Sequence, residues 1–254
     1  MEIDRNAAIE SVTRRTDSLL WSAYEAAVHG TIPPSGRRLV FPRRETGALR
    51  VSEQEARFFF VHALEESSFV YSVETPTKKL YQQKGIGYSR AAFDATVADG
   101  EGRNVRNVEF KFGGISPERK NRTTVAKDME KLLRDPGDGL WFHLLEAVDN
   151  STLTKVLTTL RGELAELLSR YGPEIAEKTL TMHICVLRQG FSIHREVALH
   201  ARLEHSELSQ TFSLPYTIKR GELMACSVEQ GWRLWKGATS TQLSQRAVAV
   251  GGGP

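Results

Sequence analysis

The segment Val105-Arg106-Asn107-Val108-Glu109-Phe110-Lys111-Phe112 alternates apolar and polar residues with a period of two. In an extended strand that period sends Val108, Phe110 and Phe112 to one face, and Asn107, Glu109 and Lys111 to the other. The apolar set must face a core, so Glu109 and Lys111 project together, roughly 7 Å apart along the strand. The preceding segment repeats the pattern: Phe93, Ala95 and Val97 are apolar, with Asp94 and Thr96 opposite them. The short Asp99–Arg103 connection makes the two segments an antiparallel hairpin, which can bring Asp94 beside Glu109 and Lys111. Two converging carboxylates repel each other unless a cation sits between them. Their oxygens suit Mg²⁺ or Mn²⁺, which keep several waters and bind phosphate oxygens. Asp94 and Glu109 are therefore the expected metal ligands. An ion held there can polarise a phosphodiester and supply a hydroxide nucleophile. Lys111 can position that water, help deprotonate it, or neutralise charge developing in the transition state.

The elements that must hold these residues are legible in outline. Apolar residues at helical spacing predict a helix over 5–28, ended by Gly30 and the Pro33-Pro34-Ser35-Gly36 stretch. Ser52 and Glu55 form an S-x-x-E capping box, predicting a helix to about Glu66. A strand over 69–73 is expected to stop at Thr75-Pro76-Thr77, and strands follow over 88–98 and 105–112. A helix over 123–134, a buried strand over 139–145, a helix over 152–170 and a strand over 180–187 complete the pattern. Beyond Gly190 the segments 191–199, 212–219 and 223–235 fit strands or irregular structure. The chain divides into an N-terminal helical segment (1–48), a core (49–190), a C-terminal extension (191–236) and a tail (237–254) expected to be flexible. Strands leading to a crossover helix and back imply an α/β fold with a mixed sheet.

An Asp on one strand, then Glu-x-Lys on the next after 14 intervening residues, inside an α-β-β-β-α-β order, resembles the PD-(D/E)XK nuclease superfamily. The resemblance covers about residues 50–147. It implies a restriction-endonuclease-like core, a mixed sheet flanked by helices, carrying the N-terminal helix and C-terminal extension as additions. Asp94 stands at the first metal-ligand position, Glu109 at the second and Lys111 at the catalytic lysine, while Phe93 replaces the proline of the named motif. Many members add a Glu from the first core helix; Glu55 is the choice here, with Glu65 and Glu66 as alternatives. Glu74, at the end of the first core strand, is either a supporting carboxylate or a surface charge. Lys127-Asp128-Met129-Glu130-Lys131-Leu132 looks like the K-D-x-x-K-L helix that follows the active-site strand in several bacterial members. Lys127 and Lys131 lie on one face and can reach a phosphate, or belong to a solvated face partnered by Asp128 and Glu130. Arg119, Lys120 and Arg122 of the basic loop are further candidates for backbone-phosphate contacts.

Composition excludes some classes. The 254 residues are 40% hydrophobic and 26% charged, with no apolar run of the roughly 18 residues a membrane-spanning helix requires. The N-terminal MEIDRNAAIESVTRR has no apolar signal-peptide core, and cytoplasmic location is the expectation. Cys185 and Cys226 stand in no metal-ligand spacing and read as reduced thiols. Neither Walker A nor G-x-G-x-x-G occurs, so no nucleotide cofactor is expected. His183, His194, His200 and His205 are weak metal candidates, and Trp232 and Trp235, flanked by Arg233 and Lys236, read as packing before base stacking. The expected activity is metal-dependent hydrolysis of DNA, with RNA as the alternative polymer and a non-catalytic nucleic-acid-binding or assembly subunit as the alternative role. Specificity is expected from a second copy, a partner subunit or the C-terminal extension.

Overall fold

The computed structural model describes residues 5–31, 40–83, 87–115, 121–199, 212, 216–219, 222–225 and 232–237. Two N-terminal helices, α1 (Arg5–His29) and α2 (Glu53–Glu65), precede three strands, β1 (Val70–Gln83), β2 (Gly87–Ala98) and β3 (Asn104–Phe112). Helix α3 (Asn121–Arg134), β4 (Asp138–Leu145), α4 (Asn150–Ile175), β5 (Thr179–Val186) and β6 (Phe191–Ala198) follow. Two short strands, β7 (Tyr216–Lys219) and β8 (Glu222–Ala225), pair with each other, and β9 (Arg233–Lys236) closes the series.

The result is an α/β fold around a mixed seven-stranded sheet of order β1-β2-β3-β4-β5-β6-β9. The central pairs β3/β4 and β4/β5 are parallel, with α3 and α4 as their crossovers, and the pairs outside them are antiparallel. Helices cover both faces. Val125, Met129, Leu153 and Leu160 of α3 and α4 pack with Trp141, Met182 and Ile193 on one side. Leu20 of α1 and Phe59 and Phe60 of α2 pack with Phe110, Leu140 and Phe142 on the other. Buried on both faces, β4 and β5 read as the nearly continuous apolar runs of the sequence.

Three sequence expectations change. First, β1 does not stop at Thr75-Pro76-Thr77 but runs on to Gln83 through a register shift between Pro76 and Leu80. Side chains replace the missing ladder: Thr77 Oγ1 accepts from Ala91 N, and the Asp135 carboxylate accepts from Lys78 N and Lys79 N, each at 2.9 Å. Second, the C-terminal extension is not an appendage, because β6 and β9 belong to the same sheet. Third, α1 is part of the core. Its Asp17, 1% exposed, bonds His183 Nε2 at 2.8 Å and accepts from Ser192 Oγ at 2.5 Å, tying α1 to β5 and β6. Arg5 to His29 otherwise matches the predicted helix, and α4 passes the predicted end at 170 only through a kink at Tyr171, ahead of Pro173. The 238–254 part of the tail lies outside the described residues, as do His200, His205 and Cys226. No helix among the described residues is long and apolar enough to cross a membrane.

The sheet buries two neutral histidines. Burial pushes His143 down from 6.5 to about 4, and burial with nearby positive charge pushes His194, stacked on Trp235, down to about 2. The unfolded chain titrates these groups near 6.5, so it binds more protons than the fold as pH drops. Stability is therefore full above about 6.5 and falls on acidification towards about 4, by on the order of 1 kcal/mol per histidine per pH unit. Guanidinium midpoints near neutrality and at about pH 5 carry this histidine slope together with an opposite one from Glu109, whose carboxyl burial holds above the usual range. His194→Phe, which keeps a ring against Trp235, will flatten the histidine slope; an unchanged net slope would exclude His194 as a source.

Candidate active site

The β2–β3 ladder pairs Val97 with Arg106, Thr96 with Asn107 and Ala95 with Val108, and stops there. Beyond that point the strands part, and Phe110 N–H needs another acceptor. Asp94 Oδ2 supplies it at 2.8 Å. Asp94 is thus fixed across from Glu109 and Lys111, at the opening between the strands, as the predicted hairpin requires.

Glu109 is 2% exposed, a position a carboxylate tolerates only with a counter-charge. Lys131 from α3 provides it: its Nζ lies 2.7 Å from Glu109 Oε1 and 2.9 Å from Asp128 Oδ1, and donates to Ala92 O at 2.8 Å. Lys111 Nζ lies 2.5 Å from Asp128 Oδ2. Four charges from β3 and α3 therefore interlock. Burial, with Asp128 and Asp94 adding repulsion, holds Glu109 well above the usual carboxylate range. Burial works against the charged forms of Lys111 and Lys131, but the neighbouring carboxylates outweigh it and both ammonium groups titrate above their ordinary value.

Helix α2 contributes Glu53 and not the expected Glu55, whose Oε2 accepts from Ser52 N at 2.7 Å and Ser52 Oγ at 2.6 Å, closing the capping box. Glu65 accepts from Tyr71 and Glu66 pairs with Arg15 at 2.6 Å, so neither joins the cluster. Glu53 does. Burial raises its pKa, and it feels Lys111, Asp94 and Asp128. Glu53 and Arg57 are four apart on α2, hence on one side of it. Arg57 Nη1 lies 2.5 Å from Glu74 and 4.0 Å from Asp94. Glu74, in the left-handed region at φ 51°, therefore reaches the site through Arg57.

The proposed phosphate contacts divide. Lys131 is not a free surface cation but a buried partner of Glu109, and Asp128, read as one partner of a solvated face, is 7% exposed. The apolar stripe of α3 packs so tightly on the sheet that this adjoining polar edge is enclosed with it. Lys127 is exposed. Arg122 opens α3 with a side chain outside the described residues, and Arg119 and Lys120 lie outside them entirely. Trp232 and Trp235 are buried, His183 is bonded to Asp17, and His194 is packed on Trp235.

Among the described residues no three Asp, Glu, His or Cys side chains are gathered closely enough to hold a metal ion. The donor set nonetheless has the chemistry of a hard-cation site. Glu109 Oε1 and Asp128 Oδ2 are buried and accept no well-directed hydrogen bond, while the Lys131 ammonium lies among three oxygens, those of Glu109, Asp128 and Ala92.

Lys131→Met strips the counter-charge from Glu109 and will destabilise the protein by about 3–5 kcal/mol, read from denaturant midpoints. Adding Glu109→Gln will recover much of that loss; if the double variant is as unstable as the single one, the pair is not what Lys131 stabilises. On α2, Glu55→Ala will cost about 1 kcal/mol through the lost cap. Glu53→Gln will leave stability equal or higher, because its charge is disfavoured in the fold. The reverse ranking would exchange the two roles.

No protein-family model matches the chain, nor does any curated protein or solved structure.

Proposed function

We propose that the chain is a divalent-metal-dependent nuclease with a restriction-endonuclease-like core, hydrolysing phosphodiester bonds in DNA. The observation that carries this reading is the convergence of Asp94, Glu109 and Lys111, interlocked with Asp128 and Lys131, where β2 and β3 separate. The α2-β1-β2-β3-α3-β4 order around them agrees with it. Asp94 and Glu109 would hold Mg²⁺ or Mn²⁺. When bound, the ion supplies polarisation of the phosphodiester and an acidified water.

The chain's own groups account for the remainder. Paired with Asp128, Lys111 is held as an ammonium, so it orients an attacking water by donating a hydrogen bond and offsets charge on the phosphoryl oxygens. Arg57 lies 4.0 Å from Asp94 and tempers repulsion between the carboxylates. Lys131 compensates Glu109, and its ammonium must shift if a cation is to reach that carboxylate.

Incubation with plasmid DNA and with RNA, with Mg²⁺, Mn²⁺ or chelator, tests the reading. Metal-dependent cleavage of DNA is expected. Asp94→Ala will abolish it, and Lys111→Ala will slow it by about 10²–10⁴-fold. Cleavage that survives either substitution or the chelator excludes the mechanism; cleavage of RNA alone reassigns the substrate.

A further inference from the structure

A cavity of about 600 Å³ opens beside the cluster, between the distal half of the β1–β2 hairpin and the outer sides of α3 and α4. Its wall includes Lys131 and Ala91; Lys131 contacts Glu109, and the carbonyl that Lys131 binds belongs to the adjacent Ala92. One side chain, Lys131, therefore separates the cavity from Glu109. Three tyrosines line it: Tyr81 is buried, Tyr171 is half-buried, and Tyr88 is 71% exposed. The cations are Lys127, Arg134, Arg170 and Lys131. Arg134 is paired with Glu130 and Glu174, Arg170 with Glu166 and Lys131 with Glu109 and Asp128, so the exposed Lys127 is the cation that faces an incoming phosphate. The Arg134 guanidinium is fixed 4.1 Å from the Tyr171 ring centre and 5.8 Å from that of Tyr81, with Nη1 2.6 Å from Glu130.

Aromatic faces interleaved with cations are what an unpaired nucleotide requires: a ring for the base and positive charge for the phosphates. The volume is that of a small-ligand pocket. A stacked duplex cannot insert its bases into such a concavity, whereas an unpaired base enters without the unpairing cost. Tyr88, 71% exposed at the rim beside Lys127, presents a ring on which a base can stack.

We propose that this cavity is a subsite for an unpaired nucleotide flanking the cleaved phosphate, which makes single-stranded or locally unpaired nucleic acid the preferred substrate. The proposal rests on the nuclease reading for the word cleaved, but not for binding. Its test is therefore run in chelator, with the full-length chain and a single-stranded oligonucleotide carrying 2-aminopurine. Tyr88 stacking will quench the probe on binding. Tyr88→Ala will remove the quench and weaken binding about tenfold, while Tyr88→Phe keeps both and blunt duplex binding stays unchanged. Because Tyr88 is exposed, its loss does not threaten folding. Equal affinity of wild type and Tyr88→Ala for the single strand overturns the subsite, as does an equal loss on blunt duplex. With Mg²⁺ or Mn²⁺ restored, single-strand binding that depends on Tyr88 but yields no cleavage of any polymer leaves the subsite standing and removes the nuclease. Cleavage indifferent to strandedness and to Tyr88 does the reverse.

Discussion

A carboxylate at 2% exposure in the middle of a sheet is the constraint around which this protein is arranged. Glu109 can occupy β3 in its charged form only if a cation reaches it from the covering layer, because an uncompensated buried charge costs several kcal/mol. That requirement fixes α3. The helix must cross from β3 to β4 with Lys131 over Glu109, and Asp128 must then lie one turn earlier to balance the second ammonium and to take Lys111. The apolar residues of the same helix, Val125, Met129, Leu132 and Leu133, are in register with this because they lie on the adjoining stripe. Packing and electrostatics thus select the same helix rotation.

The parting of β2 and β3 follows from the same region. Ending the ladder at Ala95 and Val108 frees the Phe110 N–H, and Asp94 Oδ2 satisfies it while Oδ1 lies 4.0 Å from Arg57. Glu74 flanks Asp94 on β1, since Val73 pairs with Ala95 and Thr75 with Phe93. Two like charges opposite each other on neighbouring strands are unfavourable. Arg57 reaches both, so α2 is held to the hairpin by the charges that define the cluster.

Period-two alternation made Glu109 and Lys111 legible, because a single local rule decides which face each takes; it breaks at Asp94, where Phe93 packs with α3 and α4 while Ala95 and Val97 pack with α1 and α2. The hairpin was equally legible, its five-residue turn being local. What escaped the sequence was whatever depends on distant partners. Glu55 looked like the helix carboxylate, but the local cap consumes it, and the neighbouring Glu53 faces the cluster; its i,i+4 relation to Arg57 was the available signal. Pro76 looked like a strand end because nothing nearby announces that Asp135, more than fifty residues on, accepts the N–H groups of the bulge. Lys131 and Asp128 carried the composition of a solvated face, and only the tertiary position of α3 encloses them. β6 and β9 were ambiguous because pairing, not propensity, recruits them.

The sheet carries a second buried polar network, and comparing the two explains why only one is a candidate site. Asp17, His183 and Ser192 are each no more than 1% exposed, and their bonds close on one another beneath α1. His194 beside them is packed on Trp235 and neutral. Such a set orients α1 on β5 and β6 but offers no route to solvent. In the Glu109 cluster exposure rises outward, from 2% at Glu109 through 10% at Lys131 to 17% at Lys111 and 24% at Asp94 for the side chains. A graded path from bulk water to a buried carboxylate is what an ion or phosphate must follow to reach the inner charge. Burial gives the interaction its strength, and the opening between β2 and β3 gives it access; among the described residues the Glu109 cluster combines both.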